Sequence, residues 1–276
     1  MLKTRVLTAV VLVPATLAAL FLLEPRGWAA VTLIVVTIAA TEWATLAGYP
    51  PRMGLPFAAG TFLIGFGLLF SLGADALPDG VPLALCGFAT LFWVFIAPAW
   101  LKAGWRVESK VALALLGWLI LLATWIAVVQ LQARSPWLLL ALMAIVWIAD
   151  TAAYFAGRAF GRHKLAPSIS PGKTWEGVYG ALLATALYAL VLLVFAPDGL
   201  HSRTLSAFAV FAWVAVVLGL TGLSVVGDLF ESLLKRQRGL KDSGKLLPGH
   251  GGVLDRIDAL LAAMPAAALV AQYALR

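Results

Sequence analysis

Nine stretches of about 20 mostly apolar residues follow one another along this chain, at roughly 6–23, 28–48, 55–73, 81–100, 111–131, 137–156, 175–196, 204–227 and 257–275. A helix needs about 20 residues to cross a hydrocarbon layer ~30 Å thick, and within that layer only helices or closed barrels satisfy every backbone polar group. The expectation is an all-α, polytopic integral membrane helix bundle with nine transmembrane helices. Composition agrees, with 62% hydrophobic and only 12% charged residues and a mean hydropathy of +0.97, whereas soluble domains carry about 25% charged residues. Apolar runs from end to end leave no room for a separate soluble domain, so residues 1–276 read as a single transmembrane domain. Turn formers (Pro25, Pro50-Pro51, Pro78 to Gly80, Ser135-Pro136 and Pro197 to Gly199) stand where helices should stop. Lys3 and Arg5 precede the first span as in a signal peptide, but Glu24-Pro25-Arg26 follows it in place of a small-x-small cleavage site, so it reads as a retained helix. The single cysteine, Cys86, excludes an intrachain disulfide and is expected to be a small packing residue. The eleven tryptophans gather near span ends, as interfacial anchors do.

Nine crossings put the termini on opposite sides, and the basic residues choose between the two orientations. With the N-terminus cytoplasmic and the C-terminus outside, Lys3, Arg5, Arg52, Lys102, Arg106, Lys110, Arg158, Arg162, Lys164, Lys173, Lys235, Arg236, Arg238, Lys241, Lys245 and Arg256 all fall inside, 16 of the 20 Lys and Arg. Arg26, Arg134, Arg203 and Arg276 remain outside. The net charge of +7 is then a cytoplasmic-face charge suited to anionic lipid headgroups and anionic solutes. No nucleic-acid partner is expected.

Two polar segments predicted on that face stand apart, 157–174 and 228–256. Their basic residues alone fit solvated loops beside anionic lipid; their acids do not. Asp150 falls inside the sixth span, Asp228 and Glu231 at the end of the eighth, and Asp255 and Asp258 at the start of the ninth. An Asp within a span costs roughly 2.5–3.5 kcal/mol on insertion scales and needs a cationic partner or a metal ion. Asp255 and Asp258, three apart, share a helix face, and Asp228 arrives from the neighbouring helix at the same depth. Three carboxylates amid basic residues suit Mg²⁺ holding a polyphosphate; they equally suit salt bridges to Arg256 or Arg236 with no metal.

The string from Ser232 to Asp258, SLLKRQRGLKDSGKLLPGHGGVLDRID, resembles the signature of the phosphatidate cytidylyltransferase family. The likeness runs through Ser232, Lys235, Arg236, Lys241, Asp242, Pro248, His250, Gly251, Gly252, Asp255, Arg256 and Asp258. The earlier segment is similar too, at Asp150, Gly157, Gly161, Lys164, Pro167, Ser170-Pro171, Lys173-Thr174 and Trp175-Glu176-Gly177. The resemblance implies the reaction of CTP with phosphatidate to give CDP-diacylglycerol and pyrophosphate, dependent on Mg²⁺, in a bacterial inner membrane with the site on the cytoplasmic face. It also implies a homodimer. The nucleophile is an ionised phosphate oxygen, so no strong general base is required; positioning and electrostatics carry the chemistry. Carried over residue by residue, Asp228, Asp255 and Asp258 become metal ligands, and Lys235, Arg236, Lys241 and Arg256 neutralise phosphates. Asp242 and His250 join the catalytic set; Lys164, Ser170, Lys173, Thr174, Ser232, Gly251 and Gly252 are substrate-binding candidates. His250 either meets phosphate or serves only as a hydrogen-bonding residue. Gly249, Gly251 and Gly252 form either a phosphate cradle ahead of a helix or a flexible turn.

Gly172-Lys173-Thr174 looks like the end of a P-loop, but Pro167 stands where that pattern needs glycine. The Gly157 to Gly161 spacing reads as a loop feature. A cavity is expected at the cytoplasmic end of spans six, eight and nine, polar inside and open laterally to lipid. Two rival classes remain: a CTP-dependent lipid (polyprenol) kinase, which would release CDP, and a transporter, whose buried acids would sit nearer the midplane and whose halves might repeat.

Overall fold

The computed structural model describes residues 2–72, 80–195 and 206–274. Pro78, the Pro197 to Gly199 turn, Arg203 and Arg276 lie outside the described residues. Helices α1 (Leu2–Leu22), α2 (Pro25–Leu46) and α3 (Gly54–Leu72) are followed by a rod from Gly80 to Ala103, made of α4 (Gly80–Leu91), a π-helical turn (Phe92–Ile96) and α5 (Ala97–Ala103). Then come α6 (Lys110–Arg134), α7 (Pro136–Phe160), α8 (Trp175–Phe195), α9 (Ala207–Gln237) and α10 (Leu254–Ala274). Among the described residues seven of these rods are long and apolar enough to cross a membrane, so the chain is an all-α polytopic membrane protein. The sequence did not announce a two-stranded antiparallel hairpin, β1 (Lys164–Ala166) and β2 (Ser170–Thr174), inserted between α7 and α8.

Local chemistry sets the helix starts. Pro25 and Pro136 occupy first-turn positions, where a missing N–H leaves nothing unsatisfied. Ser109, Ser135 and Ser206 cap α6, α7 and α9 by accepting the N–H of Ala112, Leu138 and Ala209. Two elements run further than the hydropathy suggests. Gly157 lies in the last turn of α7, not in a loop, and packs against Thr174 and Gly177. Helix α9 continues ten residues past the apolar span to Gln237, about 46 Å in all at 1.5 Å per residue. Residues 228 to 237 are therefore helix, and Asp228, Ser232 and Lys235 stand on one face of it.

Helix α10 forms the centre. Leu261, Ala262, Ala263 and Met264 are fully buried against α6 and α9, and a helix apolar all round its middle belongs inside a bundle. With lipid as apolar as the core, helices associate through close packing at small residues: a Cβ at Gly227 would sit 2.6 Å from the Asp258 carbonyl, which lets α9 and α10 approach near the acids. Tryptophan does more than anchor. Trp105, Trp137 and Trp175 are exposed near span ends as expected, but Trp43, Trp93 and Trp125 are wholly buried. Trp43 donates to the Leu113 carbonyl and Trp125 to that of Ala29, tying α2 to α6. Phe230 of α9 meets the rings of Phe92, Trp93 and Trp100 edge-on at 5.3–5.5 Å, fixing α9 sideways beside the acids. Cys86 is buried, a packing residue.

Candidate active site

A cavity of about 630 Å³ opens where α7, the hairpin, α8, α9 and the start of α10 meet. Every one of these elements except α8 delivers charge. Asp150 and Arg158 come from α7, Lys173 from β2, Asp228 and Lys235 from α9, Asp242 from the loop before α10, and Asp255, Arg256 and Asp258 from α10. Spans six, eight and nine all contribute to it, and the hairpin adds a wall.

Three ion pairs, built on two lysines, organise the interior. Lys173 Nζ lies 2.6 Å from Asp228 Oδ2, and Ser232 donates to Asp228 Oδ1 at 3.3 Å. Lys235, nearly buried, bridges Glu231 Oε2 at 2.5 Å and Asp255 Oδ1 at 2.6 Å. Asp255 Oδ2 accepts the backbone N–H of Ser243 at 2.9 Å and of Gly252 at 2.8 Å. The two carboxylate oxygens of Asp255 thus hold three donors already.

The other cavity acids are less engaged. Asp150, Asp242 and Asp258 have no ion-pair partner within 4 Å among the described residues. Asp258 Oδ1 accepts the adjacent Ala259 N–H, and Asp258 lies within electrostatic reach of Asp228, Glu231 and Lys235. Asp150 is likewise close to Asp228, with Lys173 and Arg256 also within electrostatic reach. Among the guanidinium groups, Arg158 donates to the Tyr154 hydroxyl and Arg256 to the His250 carbonyl, and neither meets a carboxylate.

Of the residues expected from sequence, the cavity gathers Asp228, Lys235, Asp242, Asp255, Arg256, Asp258, Ser170, Lys173 and Thr174. Ser232 touches it only through Asp228. Arg236 points away and donates to the carbonyls of Ile169 and Leu240, linking hairpin to loop. Lys164 and Lys241 are exposed outside the lining. His250 and Gly251 also stand outside it, with His250 Nδ1 buried and without a hydrogen-bond partner. Gly252, outside too, spends its N–H on Asp255. Thr174 has a structural task as well, its hydroxyl accepting the Gly177 N–H at the start of α8. Gly172-Lys173-Thr174 runs along β2 straight into α8, so no phosphate-cradling loop forms there.

Sequence reasoning did not name Arg158 as a site residue, and it missed Glu42 altogether. Glu42 is the only charged residue of the 28–48 span, so the insertion cost that singled out Asp150 would have found it too. The loop from Arg238 to Val253 depends on it, as described below.

Among the described residues no group of three or more His, Cys, Asp or Glu side chains is already arranged around one point. The individual groups nevertheless suit a hard cation: Asp258 faces the cavity with no cation within 4 Å among the described residues, and Asp228 pairs with one lysine, Lys173.

A membrane helix bundle that gathers carboxylates and cations in one cavity at one of its ends is built to handle phosphorylated substrates, and here that class can be narrowed. The model of the Cytidylyltransferase family matches residues 3–274. The phosphatidate cytidylyltransferase of Pseudomonas aeruginosa is 42% identical over 96% of this chain and 95% of its own length. Those of Haemophilus influenzae and Brucella suis are 37% and 36% identical, over 96% and 95% of this chain and 96% and 90% of theirs. The chain belongs to the cytidylyltransferase family and is a nucleotidyltransferase.

Proposed function

We propose that the chain transfers the cytidylyl group of CTP to phosphatidate, forming CDP-diacylglycerol and pyrophosphate, in the cavity between α7, α9 and α10. The observation that carries this reading is the coexistence there of acids (Asp150, Asp242, Asp258) and guanidinium groups (Arg158, Arg256) that, among the described residues, make no ion pair within 4 Å, in a chain whose relatives, matched over nearly their full length, bear that name. A phosphate oxygen of phosphatidate attacks the α-phosphorus of CTP; the bond to the bridging oxygen breaks and pyrophosphate leaves with the electron pair. Arg158 and Arg256 bind phosphate oxygens by bidentate, charge-assisted contacts. Lys173 leaves Asp228 for the triphosphate when substrate enters. Lys235, locked between Glu231 and Asp255, keeps a fixed positive charge beside the reacting phosphates. Bound Mg²⁺ supplies charge neutralisation for the triphosphate and the departing pyrophosphate. Asp228 and Asp258 would hold it; Asp255, the third expected ligand, reaches a metal only by giving up Lys235.

The reading extends to topology. Thr8 near the start of α1 donates to the Pro248 carbonyl, while Gln132 at the end of α6 donates to those of Leu20 and Leu23. Helix α10 begins beside Glu42 and ends where Arg134 donates to the Ala271 carbonyl. Both helices thus run from one end of the bundle to the other, which supports nine crossings. At the cavity end the turns after α2 and α5 meet the end of α9, through Arg238 to Leu46 and Ala47 and Gln237 to Trp105. Those are the positively charged segments, so this end is cytoplasmic in an inner-membrane protein.

Purified protein in detergent, given phosphatidate, Mg²⁺ and CTP labelled at the α-phosphate, should place label in a lipid running as CDP-diacylglycerol, and EDTA should abolish this. Label entering a lipid alcohol from γ-labelled CTP instead would show a kinase and overturn the reading.

A further inference from the structure

Glu42 lies near the end of α2, about two hundred residues from the signature loop, and is 6% exposed. Its Oε1 accepts the Val253 N–H at 3.0 Å; its Oε2 accepts the Leu254 N–H at 2.7 Å and the Ser243 hydroxyl at 3.0 Å. Among the described residues no cationic side chain lies within 4 Å of it. Leu254 opens α10 and Val253 is the residue just before it; first-turn N–H groups find no carbonyl within their own helix, and the positive end of a helix dipole favours a carboxylate there. The loop closes tightly on this group: a Cβ at Gly244 or at Gly252 would collide with the Glu42 carboxylate.

The same loop is also held by Asp255. Ser243 gives its hydroxyl to Glu42 and its N–H to Asp255. The N–H of Gly252 goes to Asp255, and those of Val253 and Leu254 go to Glu42. Two carboxylates from distant parts of the chain therefore share one peptide segment. A residue on α2 sets where α10 begins, and so where Asp255, Arg256 and Asp258 stand relative to Lys235 and the cavity.

We propose that Glu42 is a positioning residue for cytidylyl transfer: without touching substrate, it fixes residues 243–254 so that the α10 side chains meet the reacting phosphates. The proposal rests on the function proposed above but not on which residues bind metal. Glu42→Gln keeps the size but presents an NH₂ group where donors must be accepted. Glu42→Asp keeps the charge and withdraws it by one methylene, and Ser243→Ala removes one donor.

The measurement is steady-state turnover of the purified full-length protein with CTP and phosphatidate, expressed per folded molecule, with the folded fraction taken from thermal unfolding. A small misplacement of reacting groups is enough to lower kcat by about tenfold or more in Glu42→Gln, while KM for both substrates stays within about threefold. Glu42→Asp should recover part of the rate, and Ser243→Ala should lose several-fold. A purely structural role predicts activity falling only with the folded fraction, at unchanged kcat per folded molecule. That result would overturn the proposal, as would wild-type turnover in Glu42→Gln. If Glu42→Gln does not fold, the Asp and Ser243→Ala variants decide on the same criteria. Inactivity of the unsubstituted protein on these substrates would instead count against the function itself.

Discussion

Asp255 and Asp258 are three residues apart and carry the same group, yet their surroundings divide their roles. Asp255 is saturated by Lys235 and two backbone amides, whereas Asp258 takes one local N–H and faces the cavity. Asp258→Asn should therefore keep thermal stability while reducing turnover by about 100-fold or more, the scale of losing a charged group from a phosphoryl-transfer site. Asp255→Asn should lose turnover and stability together, because it leaves Lys235 with one carboxylate in a nearly dry setting; removing one member of a buried pair costs about 3–5 kcal/mol. A thermal melt beside the labelled-CTP assay separates the two, and equal melting of both variants would refute the division. The spacing of Asp228, Asp255 and Asp258 made all three legible as site residues. It could not distinguish an acid that holds a loop from one that faces substrate, because the deciding donors, Ser243 and Gly252, are backbone groups without a sequence signal. Glu42 stands out as the one charge of its span, but its role could not be read for a related reason: its partners lie more than 200 residues away.

The hairpin is the element that the hydropathy pattern could not show. Five residues of β2 contain Pro171 and Gly172, which weaken any strand reading, and the pairing depends on the ends of α7 and α8 coming together. Its turn is pinned from two directions: Ile169 is buried, and its carbonyl accepts from Arg236 of α9. That docking carries Lys173 to Asp228. Ile169→Asp would place a charge in the buried seat, release the hairpin and withdraw Lys173. The expected outcome is a new tryptic cut at Lys164 or Lys173 in limited proteolysis, with turnover lowered by about tenfold or more; an unchanged digest would show that Ile169 does not anchor the hairpin. Helix α9 makes the complementary point. A hydropathy window ends it where the charges begin, but Asp228, Ser232 and Lys235 repeat at helical spacing, so its last turns remain helix and aim those groups at α10.

At the scale of the whole molecule, the two ends of the bundle differ in kind. One end holds the loop before α10, the hairpin, the cavity and the turns after α2 and α5; the other holds the contacts of Gln132 and Arg134 with the ends of α1 and α10. Substrate chemistry requires the first end to face CTP, and the sixteen-to-four division of Lys and Arg favours the same side. Cysteine accessibility tests this cleanly because Cys86, the chain's single cysteine, is buried. In a Cys86→Ala background, Glu24→Cys places a thiol in the exposed turn between α1 and α2, and Arg106→Cys places one in the exposed turn after α5. A membrane-impermeant maleimide applied to spheroplasts should label Glu24→Cys at once and Arg106→Cys only after the membrane is opened. The reverse pattern would invert the topology and put the cavity on the side without CTP. Labelling of both from outside would mean that the helices between them cross an even number of times instead of three, and the nine-crossing arrangement would fall with it.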